Sequence, residues 1–374
     1  MQLVAPVKLL PTTQQADVLA RTLERANAAR SWIAARGAER GVRGRTALHR
    51  LTYAEARERF GTSAQMTVRA IGSVVECFAR DKRKTPRFRA HAAFPYDNRI
   101  LRIGVDNVSI WTLEGRQTIP FVCGPRQRAL LNGTQRTGEC DLRPLPDGRW
   151  MLDVSVSVDT PALFEPNGWV GVDLGVANIA TDTDGQVATG GHLNGLRRRH
   201  RRLRRKLQKR GTRAARRRLR DRSGRERRFA THVNHCIAKE LVRRAERTGR
   251  GIALEDLSGI RGRIRARRSQ RGVLHSWAFR QLRELIAYKA QLYGVPVAYV
   301  DPRNSSRECP RCGHIEKRNR PDRDRFRCVG CGLTGHADYI AALNIGSRAA
   351  VSRPDLTGVY AISHDAQSKA VCLS

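Results

Sequence analysis

Four cysteines in two Cys-x-x-Cys pairs constrain the fold of this chain more than any other local pattern. The pairs are Cys309 with Cys312 and Cys328 with Cys331, and fifteen residues separate them. Each pair bends around a glycine, so the four thiolates can converge tetrahedrally on one zinc ion. Four sulfur ligands leave no coordination position for a reactive water. The pattern therefore predicts one structural Zn²⁺ ion, held by a segment of about residues 305–335.

The charge balance of the chain predicts a polyanionic partner. Lys and Arg number 71 and Asp and Glu 34, which gives a formal net charge of +37 over 374 residues. Phosphate contacts supply most of the affinity in nucleic-acid complexes, so a chain this basic is suited to hold DNA, RNA or both. A solvated charge excess without a partner is the alternative, and it is disfavoured because the charge lies in patterned segments.

Cysteine usage and hydropathy indicate a cytoplasmic protein. The other five cysteines are scattered, which is typical of metal-site usage in a reducing compartment. The first residues, MQLVAPVKLL, lack the apolar core of a signal peptide. No apolar stretch approaches the roughly 18 residues of a membrane span, so we expect no membrane association.

Residues 1–165 are expected to form a small β-barrel or sandwich that carries a helical insert. Apolar residues recur at helical spacing within the insert, about residues 14–83, and one helix is predicted from Ser63 to Arg80. Strand signals follow, most clearly where apolar residues alternate from Trp150 to Val158. Segments at about 1–13 and 84–165 would supply the strands of the barrel.

Residues 166–352 are expected to form an α/β domain. Its first strand is predicted from Trp169 to Val176, followed by a turn at Thr183-Asp184-Gly185 and a returning strand. Further strands at residues 252–254 and 295–300 are separated by a helical segment, and this alternation favours an α/β sheet. Residues 353–374 are predicted to be a weakly ordered tail.

A basic helical hairpin is predicted over residues 195–248. Between Arg197 and Arg228, 19 of 32 residues are Lys or Arg, yet leucines keep a helical seam, with breaks near Gly211 and Gly224. Basic side chains at this density would repel one another unless a polyanion neutralised them, although a merely solvated helix face is the alternative. A second candidate phosphate track runs from Arg261 to Arg271. The candidate phosphate contacts of the hairpin are Arg197, Arg198, Arg201, Arg204, Arg205, Lys209, Arg216, Arg217 and Arg220.

Three acidic residues lie at the ends of apolar elements. Asp173 follows the strand Trp169-Val170-Gly171-Val172, Glu255 ends a second short strand, and Asp338 precedes a helical segment. Singly, each acid could be a helix cap or the partner of a salt bridge. Together, three carboxylates from two strands and one helix can hold two Mg²⁺ ions for phosphodiester hydrolysis.

The order of motifs resembles the C-terminal half of the TnpB family, transposon-encoded RNA-guided nucleases related to type V CRISPR effectors. The resemblance covers about residues 169–346. The N-terminal half, with PVKLLPTTQQADVLARTL near its start and an inserted helical segment, resembles the family more loosely. The motifs that carry the resemblance are GVDLGVANIATDTDG, IALEDLSGI, LHSWAFRQLRELIAYKA, GVPVAYVDPRNSSRECPRCGH and FRCVGCGLTGHADYIAALNI.

The resemblance implies a RuvC-type nuclease domain of RNase H-like fold. Asp173, Glu255 and Asp338 would be the catalytic acids that bind Mg²⁺, and a zinc ribbon would be inserted before the last helix. Many family members have an Asp-Arg-Asp run where this chain has His336-Ala337-Asp338. The catalytic aspartate of that run is retained here and the first acid is not.

The resemblance also implies the partners. A guide RNA derived from the transposon end would pair with double-stranded target DNA, and the protein would read a short flanking motif as a monomer bound to its RNA. Gln65 and Arg69, one helical turn apart, are candidates for reading that motif, because Gln suits adenine and Arg suits guanine. An exposed helix face without such a role is the alternative.

Three functions remain open at this point. The first is an RNA-guided, Mg²⁺-dependent DNA endonuclease encoded by a transposable element. The second is a cleavage-inactive RNA-guided DNA-binding repressor, which is disfavoured because all three acids are present. The third is a transposase-type strand-transfer enzyme that uses the same acidic triad.

Overall fold

The computed structural model divides the chain into two compact units, Met1–Asp159 and Thr160–Ser374. The division falls a few residues before the predicted boundary at residue 165. The segment Arg261 to Arg271 and the predicted tail lie outside the described residues. The structure describes residues 1–81, 83–133, 135–222, 224–256 and 279–352.

The first unit is built on an antiparallel sheet of seven strands in the order β2-β6-β7-β1-β5-β4-β3. β2 and β3 are separated by only three residues yet lie at opposite ends of this order, so the sheet must curl until its edges approach. Alternate residues from Trp150 to Val156 are buried, as the sequence pattern predicts. The strands are β1 (Gln2–Leu9), β2 (Phe94–Asp97), β3 (Leu101–Ile103), β4 (Asn107–Thr112), β5 (Gly115–Val122), β6 (Gln135–Pro144) and β7 (Trp150–Ser157).

Three long helices between β1 and β2 occupy the place of the predicted insert. The Thr12 hydroxyl accepts a hydrogen bond from the Gln15 backbone N–H, and the Gln15 side chain accepts one from the Thr12 N–H, which starts the first helix with a capping box. The predicted helix after Ser63 is confirmed, with Ser63 as its N-cap. The helices of the unit are α1 (Thr13–Glu39), α2 (Arg45–Phe60), α3 (Ala64–Arg80) and α4 (Pro125–Gly133).

The second unit contains a mixed sheet of five strands in the order β10-β9-β8-β11-β12. β8, β11 and β12 are parallel, whereas β9 and β10 are antiparallel to their neighbours. The prediction that the first strand extends to Val176 is wrong, because the chain leaves the sheet after Asp173 and turns through Gly175. The strands are β8 (Trp169–Asp173), β9 (Asn178–Asp182), β10 (Val187–Thr189), β11 (Gly251–Glu255) and β12 (Val297–Val300).

The described part of the second unit contains five helices, and the basic region contains three of them instead of the predicted two. Gly211 and Gly224 take left-handed φ angles of 64° and 84° at the predicted breaks, a conformation that glycine adopts without strain. None of the helices in the described part of the chain is long and apolar enough to cross a bilayer. They are α5 (Gly191–Arg210), α6 (Arg213–Arg222), α7 (Arg225–Arg247), α8 (Phe279–Leu292) and α9 (Ala337–Ser352).

The cysteine array lies between β12 and α9. It contains a short 3₁₀ helix, Lys317–Asn319, and a two-stranded hairpin of β13 (Arg325–Arg327) and β14 (Thr334–His336). α9 begins directly after β14, with no intervening loop. Helix α9 is therefore attached to the cysteine array at its first residue.

Helix α9 packs directly on β8 through two glycines. A Cβ atom on Gly171 would lie 2.1 Å from the Ala342 carbonyl oxygen and 2.4 Å from the Gly346 nitrogen. Both obstructing atoms belong to the backbone of α9, so no side-chain rotation can relieve the overlap. Gly171 therefore permits the close approach of helix and strand.

Replacing Gly171 by alanine is expected to destabilise the second unit by about 3 kcal/mol, because overpacking forces the helix backbone away from the strand. For a unit of this size, the melting temperature should fall by about 6–12 °C. Gly168→Ala is the matched control, since no atom lies within 4 Å of its Cβ position. Equal melting temperatures for the two variants would contradict this account of the packing.

Candidate active site and cysteine cluster

The three acids of the sequence prediction lie on one face of the mixed sheet. Asp173 and Glu255 are the last residues of β8 and β11, which are neighbouring parallel strands with Val172 opposite Leu254. Gly171 and Ala253 both pack against α9, so Asp173 and Glu255, two residues further along each strand, face the same side. Asp338 lies in the first turn of α9.

Electrostatics also links the three acids. Burial, and after it the negative charges of Glu255 and Asp338, raise the pKa of Asp173 to about 7, while Arg320 opposes the change. Burial likewise raises the pKa of Glu255, against the effects of the Ser305 hydroxyl and the Arg348 guanidinium. Carboxyls that disfavour each other's charge in this way form a site that an added cation would stabilise.

Residues outside the predicted set contact two of the three acids. The Asn178 side-chain amide donates a hydrogen bond of 2.9 Å to Asp338 Oδ2, and an Arg320 Nη2 atom lies 3.7 Å from Asp338 Oδ1. The Ser305 hydroxyl donates to Glu255 Oε1. Sequence reasoning missed all three contacting residues. Asn178 lies within the same motif as Asp173, which is a signal that could have drawn attention to it.

The raised pKa of Asp173 predicts that this residue lowers the stability of the metal-free protein. A carboxyl whose pKa is higher in the folded state favours folding when it is protonated, so stability falls as pH rises from about 4 to about 7. Asp173→Asn should therefore raise the free energy of unfolding by about 2–4 kcal/mol at pH 8 in magnesium-free buffer.

This stabilisation should shrink as the pH is lowered toward 4, where the wild-type carboxyl is protonated in both states. Denaturant unfolding of both proteins at several pH values measures the difference. If the difference in free energy of unfolding between the two proteins is constant with pH, the carboxylate charge of Asp173 does not destabilise the folded state.

The four cysteines form one compact cluster. Their sulfur atoms all lie within 4.8 Å of one another, with 3.5 Å between Cys309 and Cys331 and 3.6 Å between Cys312 and Cys328. Among the residues that the structure describes, they are the only group of three or more His, Cys, Asp and Glu that approach so closely. The three carboxylates are spaced more widely than the four sulfurs. The cysteine cluster has the composition and compactness of a metal site.

Backbone amides prepare one of the thiols for metal binding. The Cys331 N–H lies 3.4 Å from the Cys328 sulfur, and this contact, the Gly330 N–H and the thiols of Cys312 and Cys309 together lower the pKa of Cys328 to about 6. A thiol with this pKa is largely ionised at neutral pH, and the thiolate is the form that binds metals.

The cysteine cluster shares its apolar core with the helix that carries Asp338. Cys309, Cys328, Phe326, Ala337 and Ile340 pack together, each at most 3% exposed. The Ala337 N–H also donates to the Asp324 carbonyl oxygen at 2.8 Å, which ties the start of α9 to the array. The position of Asp338 therefore depends on the integrity of the cysteine cluster.

The predicted phosphate contacts differ in accessibility. Arg197 is 8% exposed and pairs with Glu226 at 3.4 Å, so its guanidinium is held between α5 and α7. The exposed members of the set are Arg198, Arg201, Arg204, Arg205, Lys209, Arg216, Arg217 and Arg220. These exposed side chains form a basic surface on α5 and α6, and their contacts with nucleic acid stay a prediction.

Gln65 and Arg69 are both engaged within the first unit. The Gln65 amide donates to Asp97 and accepts a hydrogen bond of 3.2 Å from Arg99, while Arg69 pairs with Glu139 at 3.1 Å. Base reading by either side chain would require exchange of these partners. Their role at a flanking motif stays a prediction.

Known protein families and relatives match much of the second unit. A family model described as "Probable transposase" matches residues 153–258, and one described as "Cas12f1-like, TNB domain" matches residues 279–345. The chain is 37% identical over 118 residues to the CRISPR-associated endodeoxyribonuclease Cas12f1 of Sulfoacidibacillus thermotolerans, which covers 31% of this chain and 26% of that protein. It is 34% identical over 124 residues to TnpB-like protein MJ0751 of Methanocaldococcus jannaschii, covering 33% of this chain and 44% of that protein. The chain thus spans less than half the length of each of these relatives.

Solved structures match a larger share of the chain at low sequence identity. A cryo-EM structure of the Cas12f1-sgRNA-target DNA complex matches with a TM-score of 0.64 and 15% identity, over 90% of this chain and 83% of that one. CasPhi-2 (Cas12j) bound to crRNA matches with a TM-score of 0.58 and 10% identity, over 95% of this chain and 99% of that one. The chain therefore shares the mixed α/β fold of these effectors.

Proposed function

We propose that this chain, which is a TnpB-family relative of the type V CRISPR effectors, is an RNA-guided DNA endonuclease encoded by a transposable element. Its second unit would be a RuvC-like nuclease domain with a zinc-ribbon insertion, and its first unit a small β-barrel with a helical insert. The observation that carries the proposal is the placement of Asp173, Glu255 and Asp338 on one face of the mixed sheet, where burial and then the charges of the latter two raise the pKa of Asp173.

The proposed acid site fits divalent cations. Carboxylate oxygens are the ligands that Mg²⁺ prefers, and mutual repulsion of three partly buried acids is relieved by a positive ion. Asp173, Glu255 and Asp338 would hold the metal. When bound, two Mg²⁺ ions would activate a water and stabilise the leaving oxygen of a phosphodiester.

The neighbouring side chains prepare this face for a phosphodiester. Asn178 orients the Asp338 carboxylate through its hydrogen bond of 2.9 Å to Oδ2, so a cation would bind at Oδ1, the oxygen that Arg320 Nη2 also approaches. Arg320, 3.7 Å from Asp338, adds a positive charge that favours an anionic phosphate at an otherwise acidic surface. The burial of the acids strengthens each of these interactions, because water is partly excluded.

The cysteine cluster fits a structural Zn²⁺ ion. Zinc–sulfur bonds of about 2.3 Å at tetrahedral angles separate the sulfurs by about 3.8 Å. The separations of 3.5 Å and 3.6 Å in the two closest pairs are near this value. Cys309, Cys312, Cys328 and Cys331 would be the four ligands, and the ion would hold the array against α9.

A guide RNA and a target DNA are the partners that we propose. The exposed basic surface of α5 and α6 would contact phosphates without reading sequence, while base pairing between guide and target supplies specificity. A net charge of +37 suits a large polyanionic partner such as a nucleic acid better than a small substrate.

Two other functions use the same scaffold. A cleavage-inactive RNA-guided repressor would not need three acids, and the raised pKa of Asp173 is a destabilising feature that repression does not explain. A strand-transfer transposase would use the same acids but would need no guide RNA. The retained acid triad favours the endonuclease over the repressor, and bound RNA would separate the endonuclease from the transposase.

The decisive experiment copurifies the full chain with RNA expressed from its own flanking DNA. Sequencing that RNA identifies the guide, and a matching duplex with randomised flanking bases then tests cleavage with and without Mg²⁺. Cutting that requires RNA, Mg²⁺ and a match is the expected result. Purification without a defined RNA would contradict guided cleavage, and strand joining instead of hydrolysis would favour the transposase.

A further inference from the structure

A serine in the loop after β12 holds one of the three acids. The Ser305 hydroxyl donates a hydrogen bond to Glu255 Oε1, and Ser305 is only 5% exposed. A hydroxyl has one proton, and its competing acceptor is the Pro302 carbonyl oxygen at 3.2 Å. Hydrogen bonds to an ionised carboxylate are roughly twice as strong as neutral ones, so the Ser305 hydroxyl donates to Glu255 in preference to the Pro302 carbonyl.

Helix α9 anchors the loop that carries this serine. Asn344, which is 4% exposed, donates from Nδ2 to the Ser305 carbonyl oxygen at 2.7 Å and to the Glu308 carbonyl oxygen at 2.8 Å. Both protons of its amide are therefore used. Arg348, one helical turn further on, donates to the Asp301 carbonyl oxygen at 2.6 Å. The loop of residues 301–308 is thus fixed to α9 at several points.

The same helix therefore orients two acids. α9 carries Asp338 in its first turn, and it reaches Glu255 through Asn344 and the Ser305 hydroxyl. A glutamate side chain has several rotamers, and fixing one of them requires a specific partner. We propose, on the basis of the endonuclease function proposed above, that Ser305 is a positioning residue that holds Glu255 in the orientation that binds the divalent cation.

Alanine at position 305 separates this role from a merely structural one. Ser305→Ala removes the hydroxyl but keeps the backbone carbonyl that Asn344 holds, so the loop keeps its anchors. The Mg²⁺ concentration for half-maximal cleavage should rise at least about tenfold, as is typical when a partner of a metal ligand is lost. The cleavage rate at saturating Mg²⁺ should fall less than about threefold, because the ligand itself is present.

Two further variants make the comparison specific. Ser305→Thr keeps the hydroxyl and should restore most of the Mg²⁺ affinity. Ser306→Ala is the matched control, because it removes the same group from the next residue of the loop. Its Mg²⁺ dependence and melting temperature should equal those of the wild type.

Binding of Mn²⁺ gives a readout that does not depend on cleavage. The full chain is titrated with Mn²⁺ in the absence of nucleic acid, whose phosphates also bind the ion, and free Mn²⁺ is measured by electron paramagnetic resonance. Ser305→Ala should weaken Mn²⁺ binding by about the same factor as it raises the Mg²⁺ requirement. Melting temperatures of all variants are measured in parallel.

The outcomes distinguish this inference from the proposed function. A wild type that neither binds Mn²⁺ nor cuts a guide-matched DNA overturns both. A wild type that does both, with Ser305→Ala unchanged in metal affinity, overturns the positioning role alone. The positioning role is also overturned if the melting temperature of Ser305→Ala falls in proportion to its loss of Mn²⁺ affinity. It is overturned as well if Ser305→Thr binds Mn²⁺ no better than Ser305→Ala while its melting temperature is unchanged.

Discussion

Replacing Asp173 by alanine is expected to reduce target cleavage by at least about 1000-fold, because metal-assisted charge stabilisation contributes several kcal/mol to such a reaction. Asp173 ends the central strand β8, and its carboxyl interacts electrostatically with the negative charges of both other acids. Loss of its carboxylate should therefore remove a ligand that the remaining two acids cannot replace. Guide RNA and target DNA should still bind, since the variant removes a negative charge and leaves the basic surface unchanged.

The measurement compares cleavage rates and DNA affinities of the purified RNA complexes. Asp184→Ala is the matched control, because Asp184 lies in the turn after β9 and pairs with Arg250 near the surface. Loss of such a pair changes stability by at most about 1 kcal/mol and should leave cleavage unchanged. Full cleavage by the Asp173 variant would exclude these acids as the catalytic site.

The regular elements around the acids were predictable because their apolar residues follow a simple period. Alternation in β7 and the apolar seam of the basic helices led to the observed strand and helices. The same reasoning failed after Asp173, where Leu174 and Val176 continue an apolar pattern although the chain leaves the sheet. The reason is a tight turn, in which a Cβ on Gly175 would lie 2.6 Å from the Asn178 carbonyl oxygen.

The contacts that orient the acids could not be predicted from sequence pattern. Asn178 and Asp338 are 160 residues apart in the chain, and Ser305 and Glu255 are 50 apart. Such pairs depend on how β9, β11 and α9 pack against one another. The periodicity of apolar residues in the sequence gives no information about this packing. The identity of the acids was accessible because each lies at one end of an apolar element, whereas their neutral partners lie in loops or at strand starts without a comparable signal.

Replacing Cys328 by serine is expected to lower bound zinc from about one equivalent to near zero. A structural zinc site contributes about 10–16 kcal/mol of apparent binding free energy, and a hydroxyl is a poor substitute for a thiolate. Cys328 is 2% exposed within the core that also contains Ala337 and Ile340 of α9. Loss of the ion should therefore loosen the first turn of α9, in which Asp338 lies.

Cleavage by this variant should consequently fall about 10- to 100-fold, although every proposed catalytic acid is present. Zinc content by mass spectrometry, proteolysis of the array and cleavage rate are measured on the same preparation, with the exposed Cys236→Ser as control. Because the cysteine array packs on α9, guide RNA binding to the basic surface of α5 and α6 should change little. Zinc loss with full cleavage would mean that the cysteine cluster does not position Asp338, whereas zinc retention would contradict its assignment as the metal site.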